Sequence, residues 1–222
     1  SVEEYLYAVL PSEMPSDFSA EALKAQAICA RSYAYTQLLA NRYAKYGAHV
    51  DDSVACQVYN NIAETEQSVL AVKDTHGQVL LHKGEVASCY YFSTSCGYTT
   101  SAADVWENAE AVSYLGGGFH EAGKEAEPAT KLSEEELKAF LLKEEVTTYD
   151  SESPWYRWQI FMSMEDLEKS INKGLAARYK TVPEQILTYD EKTDSYVSEP
   201  ISELGTLKSI RMIERGKGGI AT

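Results

Sequence analysis

Residues 10–35, LPSEMPSDFSAEALKAQAICARSYAY, carry the strongest structural signals in the 222-residue chain. Two prolines, Pro11 and Pro15, bracket Glu13, and an alanine-rich run follows. Proline lacks a backbone N–H and restricts the residue before it, so a helix arriving from the N-terminal side should end or kink at Pro11. Ser19 is a good N-cap for a second, long helix. The stretch therefore predicts two helices with a glutamate near their junction.

The first helix presents one apolar face, because its hydrophobic residues recur at helical spacing. They are Val2, Tyr5, Leu6, Val9 and Leu10. Projected onward, this face reaches Glu13 at the C-terminal end. Burial, the negative end of the helix dipole and the acidic surroundings would all favour the protonated carboxyl, as a general acid requires. The alternative is that Pro11 breaks the helix and Glu13 is a solvated loop residue.

Upstream of residue 93, the pattern predicts more helix and one hairpin. The alanine stripe carries the second helix to about residues 46–47. Asn61, with a glutamate three residues later, indicates a third helix over 64–74. Residues 78–92 resemble two strands joined by a turn at Lys83 and Gly84.

Further along the chain, helices and strands are interspersed without a βαβ rhythm. The glycines at 116–118 mark a flexible junction, and Ser133 begins a capped helix reaching about Glu145. Residues 157–163 and 206–215 look like strands, and a helix between them should begin after Ser163 and end at Gly174. We therefore expect an α+β fold. The N-terminal helices would pack with a mixed or antiparallel sheet, in one domain over 1–222 with a possible helical insertion over 118–150.

Composition narrows the classes of function. The net charge of -14 argues against nucleic acid and against anionic lipid as ligands. There is no apolar run long enough to span a membrane and no signal peptide, although an anchor could lie upstream, since the chain begins inside a predicted helix.

The opening stretch resembles the signature of the stage II sporulation protein D family, also called the SpoIID/LytB domain. The resemblance continues, in order, through CQVY at 56–59, the segment GQVLLHKGEVASCYYFSTSCGYTTSAADVW at 77–106, WYRWQIFMSMEDL at 155–167 and IRMIERGKGG at 210–219. It covers nearly the whole chain, and its first motif is the most specific.

This resemblance implies a peptidoglycan lytic transglycosylase, which cleaves the bond between N-acetylmuramic acid and N-acetylglucosamine and leaves 1,6-anhydro ends. Glu13 matches the family's catalytic glutamate. The resemblance also implies an extracytoplasmic site of action, a role in engulfment during sporulation, glycan strands stripped of their peptides as substrate, and a cell-wall amidase of the stage II sporulation protein P type as partner. No cofactor is expected.

The lyase chemistry suits a single acid, because the muramyl 6-hydroxyl serves as nucleophile and no second carboxylate is required. Asp51, Asp52, Asp104 and Glu107 lie near the family motifs, but each is better explained as a cap or loop residue. Polar residues of the motifs are the candidates for substrate binding. These are Lys24, Gln26, Arg31, Ser32, Tyr35, Gln57, Tyr59, Ser93 and Ser95.

The cysteines leave alternatives open. Cys29 is expected to be a buried structural thiol, and Cys89 should point into the core. Cys96 departs from the family's usual glycine, and we expect it to lie near Cys56 at the rim of a cleft, where an exported protein could form a disulfide. His49 and Cys56 could be two ligands of a zinc ion, but such a site needs more ligands, so no metal is expected. A nucleophilic thiol–histidine pair is also conceivable.

A function of another class remains open, because the LytB branch of the family is associated with modifier roles. In this alternative the chain is a non-catalytic glycan-binding module that enhances a cell-wall amidase. The glutamate at position 13 favours the enzyme.

Overall fold

The computed structural model describes residues 1–53, 55–106, 112–143 and 147–221. Over these residues the fold is α+β, with helices and short antiparallel sheets, as the sequence predicts. The chain divides into two compact units, Ser1–Ser93 and Thr94–Thr222. No helix within the described residues has both the length and the apolar character needed to cross a bilayer.

The first unit consists of three helices and one hairpin. Its elements are α1 (Val2–Glu13), α2 (Ala20–Ala40), α3 (Glu66–Asp74), β1 (Leu81–His82) and β2 (Glu85–Val86), with a 3-10 turn at Ala44–Tyr46. The three helices pack against one another around a core of small and branched apolar side chains. The core residues are Leu6, Val9, Leu10, Leu23, Ala27, Ala30, Ala71 and Val72. Each of its leucines and valines stabilises the unit by about 1.5–3 kcal/mol relative to exposure.

Helix α1 does not end at Pro11, in contrast to the first expectation. It continues to Glu13, and Met14 caps it in an extended conformation with its N–H donated to the carbonyl of Leu10. Pro11 is tolerated because it costs the last turn only one backbone hydrogen bond. The extended conformation of Met14 is the one that the following Pro15 favours. The projected apolar face therefore does reach Glu13.

The other helix ends of the first unit follow from local capping. Helix α2 ends at Ala40, earlier than predicted, because Asn41 adopts a left-handed conformation with φ of 47°. Helix α3 begins after Thr65, whose side chain and that of Ser68 form a reciprocal cap, two residues later than predicted. The predicted hairpin is confirmed, with positive φ at both Lys83 and Gly84, as a type I′ turn requires.

The second unit contains a three-stranded antiparallel sheet in the order β3-β4-β5. Its elements are β3 (Tyr98–Thr99), α4 (Ala102–Val105), β4 (Gly118–Phe119), β5 (Glu127–Pro128), α5 (Glu134–Leu141), α6 (Met164–Thr181), β6 (Thr188–Asp190) and β7 (Ser195–Val197), with 3-10 turns at Ser113–Leu115 and Pro183–Gln185. Strands β6 and β7 form a hairpin.

Several expectations for this unit need correction. The capping box at Ser133 is confirmed, but α5 ends at Leu141, and the predicted end near Glu145 falls on residues outside the described part of the chain. Helix α6 begins after Ser163 as predicted but continues through Gly174 to Thr181. Neither 157–163 nor 206–214 forms a strand. The glycines at 116–118 are not a flexible junction: a Cβ on Gly117 would lie 2.4 Å from the carbonyl oxygen of Thr99.

Candidate active site

Glu13 is the last residue of α1 and is only partly exposed. Its Oε1 atom accepts two hydrogen bonds, one of 2.7 Å from the backbone N–H of Val58 and one of 3.4 Å from the hydroxyl of Tyr91. No described residue donates to its Oε2 atom. One oxygen therefore fixes the orientation of the carboxyl, and the other is left for a proton or a ligand.

The segment that follows Cys56 is held against the end of α1. The backbone N–H of Asn60 donates to the hydroxyl of Ser12 at 3.1 Å, next to the bond between Val58 and Glu13. The ring of Tyr59 stacks on that of Tyr5, with 6.0 Å between centroids. These contacts place the backbone N–H of Val58 against Glu13. The hydrogen bond to Glu13 itself uses no side chain of the segment.

Gln57 organises the polar groups behind Glu13 and is almost fully buried. Its Nε2 atom donates to the carbonyl of Ala30 at 3.2 Å and to the hydroxyl of Tyr91 at 2.9 Å. Its Oε1 atom accepts from the hydroxyl of Tyr5 at 3.3 Å. Because an amide nitrogen can only donate, the Tyr91 oxygen must accept from Gln57 and has its own proton free for Glu13.

The hydroxyl of Tyr91 stays protonated at neutral pH. Burial raises the pKa of Tyr91 well above its ordinary range, the hydrogen bond from Gln57 partly opposes this, and the nearby charge of Glu13 adds to the rise. A protonated phenol is a hydrogen-bond donor, so the chain from Gln57 through Tyr91 to Glu13 has a fixed direction.

Arg31 and Ser32, expected to contact substrate, are instead structural residues with no exposed surface. The Arg31 guanidinium makes a bidentate ion pair with Glu3, at 2.9 and 2.8 Å, and also donates to the carbonyls of Val72 and Gln78. Ser32 donates to the carbonyl of Ile28 and accepts from the N–H of Leu80. Both side chains have partners within the unit, and a glycan cannot reach them in this conformation.

Three other candidates lie along α2 in different environments. The ammonium of Lys24 is 3.1 Å from the carboxylate of Glu21 and 3.2 Å from that of Asp74, which neutralise it. Gln26 is buried, and its Nε2 atom has no hydrogen-bond partner among the described residues. Tyr35 is exposed on the surface of the unit.

The remaining candidates are divided between the units. Gln57 and Tyr59 belong to the Glu13 site, whereas Ser93 is an exposed residue at the end of the first unit. Ser95 lies in the second unit, where both its N–H and its hydroxyl donate to the carboxylate of Asp150. This contact joins residues that are 55 positions apart in the sequence and gives Ser95 a structural role in the second unit.

The acidic residues near the family motifs lie in different environments. Asp51 accepts from the N–H and the hydroxyl of Ser53, and Asp52 is exposed. Asp104, in the second unit, accepts from the N–H of Lys217, and Glu107 lies outside the described residues. Among the described residues of the first unit, no other carboxylate shares a hydrogen bond with the network of Glu13.

All four cysteines are free thiols, so Cys56 and Cys96 do not form the disulfide that the sequence left open. Cys56 lies in the first unit, where Arg42 donates to its sulfur at 3.4 Å. Cys96 lies in the second unit, 4.0 Å from the carbonyl oxygen of Tyr98. Within the described part of the chain, no group of three or more His, Cys, Asp or Glu side chains could hold a metal ion.

Sequence reasoning missed Tyr91 and the N–H of Val58 as partners of Glu13. Tyr91 is one of two consecutive tyrosines, and the alternation of a strand could have indicated that one faces inward. The backbone donor leaves no mark in the residue type at position 58 and could not have been found. What remains is one oriented carboxyl supported by a phenol and an amide, an arrangement suited to acid–base chemistry.

Part of this chain is similar to known proteins. Residues 1–82 match the family described as SpoIID, Stage II sporulation protein. An uncharacterised protein of Brachyspira hyodysenteriae is 41% identical over 118 residues, which is 53% of this chain and 31% of the relative. The protein named Amidase enhancer of Bacillus subtilis is 39% identical over 110 residues, which is 50% of this chain and 14% of the relative.

Stage II sporulation protein D of Bacillus subtilis is 36% identical over 122 residues, covering 49% of this chain and 36% of the relative. The chain thus spans about a third or less of the length of these relatives.

Proposed function

We propose that this chain, whose residues 1–82 match the stage II sporulation protein D family, is a peptidoglycan lytic transglycosylase with Glu13 as its catalytic acid and base. The observation that carries this proposal is the environment of Glu13, whose one oxygen is held by Val58 and Tyr91 while the other is left for proton transfer. The substrate would be the glycan strand of peptidoglycan, in a form stripped of peptides.

The proposed reaction needs only this one carboxyl. The protonated Oε2 of Glu13 gives its proton to the glycosidic oxygen as the bond to the muramyl C1 breaks. The muramyl 6-hydroxyl then attacks C1, and its proton passes to the Glu13 carboxylate, which restores the acid. No water is consumed, and the product carries a 1,6-anhydro ring. Hydrolytic glycosidases pair two carboxyls, whereas this route uses one.

Tyr91 would assist by adjusting its hydrogen bond as Glu13 changes charge. Its hydroxyl donates at 3.4 Å, a long bond that can shorten when Glu13 becomes a carboxylate. The same hydroxyl would stabilise the Glu13 carboxylate in the interval between its two proton transfers. Tyr91 would therefore be a positioning residue, and Glu13 the residue that touches the reacting atoms.

A second function is favoured by the relative named Amidase enhancer. In this alternative the chain binds glycan strands without cleaving them and increases the activity of a cell-wall amidase. The partner would be such an amidase in either case, and both functions place the protein outside the cytoplasm during remodelling of the cell wall in sporulation.

The test is incubation of the purified chain with peptide-free glycan strands in heavy-oxygen water, followed by mass spectrometry of the new muramyl ends. The proposal expects 1,6-anhydro ends without the label, and no cleavage by Glu13→Gln. Labelled reducing ends would show a hydrolase. No cleavage by the wild type, together with faster release of peptides by an added amidase, would support the enhancer.

A further inference from the structure

The side-chain amide of Gln57 has a fixed orientation, because its surroundings suit only one placement of its oxygen and nitrogen. The carbonyl oxygen of Ala30, at 3.2 Å, only accepts hydrogen bonds, so the amide atom that faces it is the donor Nε2. The other amide atom, Oε1, then faces the hydroxyl of Tyr5 at 3.3 Å, which donates to it. A backbone carbonyl of α2 therefore determines which way the amide of Gln57 is turned.

The same nitrogen lies 2.9 Å from the hydroxyl oxygen of Tyr91, so its two N–H groups bond to Ala30 and to Tyr91. A tyrosine hydroxyl that accepts one hydrogen bond still has its own proton to donate. The Oε1 atom of Glu13, at 3.4 Å, accepts that proton. The direction of the Tyr91 hydroxyl is thus fixed by a chain of contacts that begins at the main chain of α2.

We propose that Gln57 is a positioning residue for the reaction, whose amide keeps the Tyr91 hydroxyl a donor to Glu13 throughout the cycle. This inference rests on the proposed function, because it concerns the same carboxyl. Gln57 is 1% exposed and its amide has partners within the unit, so it acts through Tyr91 and not by touching the glycan. Without the amide, the hydroxyl is free to turn away when Glu13 is a carboxylate, the state that gains most from a donor.

Gln57→Glu tests the direction of the hydroxyl, because it keeps the shape of the side chain and replaces the amide donors. An ionised carboxylate only accepts, so it would draw the Tyr91 proton away from Glu13, whereas a protonated carboxyl keeps one donor. We expect kcat on peptide-free glycan strands to fall by roughly 10- to 100-fold where the introduced carboxyl is ionised, with little change in KM. The loss should shrink as pH is lowered. Gln67→Glu, exposed on α3, is the matched control for the added charge and should behave as the wild type does.

The effect of Gln57 should require Tyr91. In the Tyr91→Phe background, Gln57→Glu should cause little further loss of kcat, because the hydroxyl that it redirects is already gone. Gln57→Met is neutral and serves as a second variant if the melting temperature shows that Gln57→Glu does not fold; its loss of kcat should also require Tyr91. Equal losses with and without the Tyr91 hydroxyl would show a purely structural role and overturn the proposal. A higher KM at unchanged kcat would overturn it too, by showing a contact with substrate.

A measurement that needs no cleavage separates failure of this inference from failure of the proposed function. In a chain labelled with ¹³C at the tyrosine Cζ atoms, the NMR signal of Tyr91 is identified by its loss in Tyr91→Phe. If the wild type leaves glycan strands intact, the lytic transglycosylase is refuted, but the Tyr91 signal of Gln57→Glu should still move as the introduced carboxyl ionises. Gln57→Met should lack this movement. A Tyr91 signal that Gln57→Glu leaves unchanged at every pH would overturn the positioning role, whether or not the chain cleaves glycan.

Discussion

At the scale of single residues, the two oxygens of Glu13 have different surroundings. Oε1 accepts from Val58 and Tyr91, and Oε2 receives no hydrogen bond from the described residues. A carboxyl held in this way keeps one orientation through a reaction cycle while one oxygen exchanges protons. This asymmetry is what the position of Glu13 at the last residue of α1 provides, since a residue one turn earlier would face the apolar core.

Glu13→Gln should abolish glycan cleavage without unfolding the chain. The amide oxygen can still accept from Val58 and Tyr91, but the amide nitrogen cannot transfer a proton. The rate should fall by at least ~10²–10⁴, the usual contribution of general acid–base catalysis. Cleavage is measured by mass spectrometry of glycan products, and an unchanged melting temperature serves as the control. Cleavage near the wild-type rate would contradict the assignment of Glu13.

Tyr91→Phe should lower kcat with little change in KM. The variant keeps the ring but removes the hydroxyl that donates to Glu13 and accepts from Gln57. A hydrogen bond to a charged group contributes about 1.5–3 kcal/mol, which corresponds to a loss of roughly 10- to 100-fold in kcat. Steady-state kinetics on glycan strands measure this. Tyr90→Phe is the matched control, and an equal loss in both variants would argue against a specific role for Tyr91.

At the scale of secondary structure elements, Arg31 joins all three helices of the first unit. It lies on α2, pairs with Glu3 on α1 and donates to the carbonyl of Val72 on α3. A buried guanidinium is stable only when its donors and its charge have partners, and here both conditions are met. The arrangement of the helices therefore depends on one side chain as well as on the apolar core.

Arg31→Met should destabilise the chain by about 3–5 kcal/mol, because Glu3 and two backbone carbonyls lose their partner in a largely buried place. Lys24→Met on the same helix is the matched control. Its ion pairs are at the surface, where such pairs contribute about 0–1 kcal/mol. Urea unfolding followed by far-ultraviolet circular dichroism measures both variants. Similar losses in the two would show that burial of Arg31 is not what stabilises the helices.

The ion pair between Arg31 and Glu3 also makes the free energy of unfolding depend on pH. Burial opposes ionisation of Glu3, but the hydrogen bonds and charge of Arg31 outweigh it and lower the pKa of Glu3 in the folded chain. This stabilisation is fully present above the pKa of an unfolded glutamate, about 4.3, and is lost as pH falls through the lower folded value. The difference in unfolding free energy between wild type and Glu3→Gln should therefore shrink below about pH 4. A constant difference down to pH 2 would contradict it.

The elements differ in how far their sequences determine them. The caps at Ser133 and Ser163 and the turn at Lys83 are local, because each acts on backbone groups within three residues, and all three were predicted correctly. The strands expected over 157–163 and 206–215 rest on alternation alone. A strand needs a neighbour to accept its backbone hydrogen bonds, and no local pattern supplies one.

Other misses have energetic reasons. Gly174 was expected to end α6, but a glycine inside a helix costs only about 1 kcal/mol, and the flanking turns outweigh it. The sequence predicts Arg31 as a substrate contact because a polar residue kept in a closely packed, alanine-rich helix suggests that it points into a groove. Its burial depends on Glu3, which lies 28 residues away in the sequence, so the role of Arg31 could not be inferred from its neighbours on α2. Glu13 was identified correctly as a helix-end carboxyl because its position depends only on the helical period.

At the scale of the whole molecule, aromatic residues are distributed unevenly between the two units. All three tryptophans belong to the second unit, and they are 46%, 71% and 76% exposed at Trp106, Trp155 and Trp158. The first unit contains the Glu13 site and has tyrosines and phenylalanines but no tryptophan. Intrinsic tryptophan fluorescence therefore arises from the second unit.

The native chain should show tryptophan emission typical of water-exposed indoles, with strong quenching by acrylamide. The reason is the exposure of Trp155 and Trp158, which leaves their rings accessible to a small neutral quencher. Fluorescence spectra with and without denaturant measure the wavelength of tryptophan emission, which should change little on unfolding. A blue-shifted emission that resists acrylamide would show that these indoles are covered in solution.

The backbone N–H of Val58 that donates to Glu13 has a consequence for how this site can change over evolution. Any residue except proline supplies the same donor, so the amino acid at position 58 can change while the hydrogen bond to Glu13 is kept. Neither comparison of side chains among relatives nor alanine scanning would register it. The hydrogen bond from position 58 to the carboxyl therefore depends on the path of the main chain. It does not depend on which amino acid occupies that position.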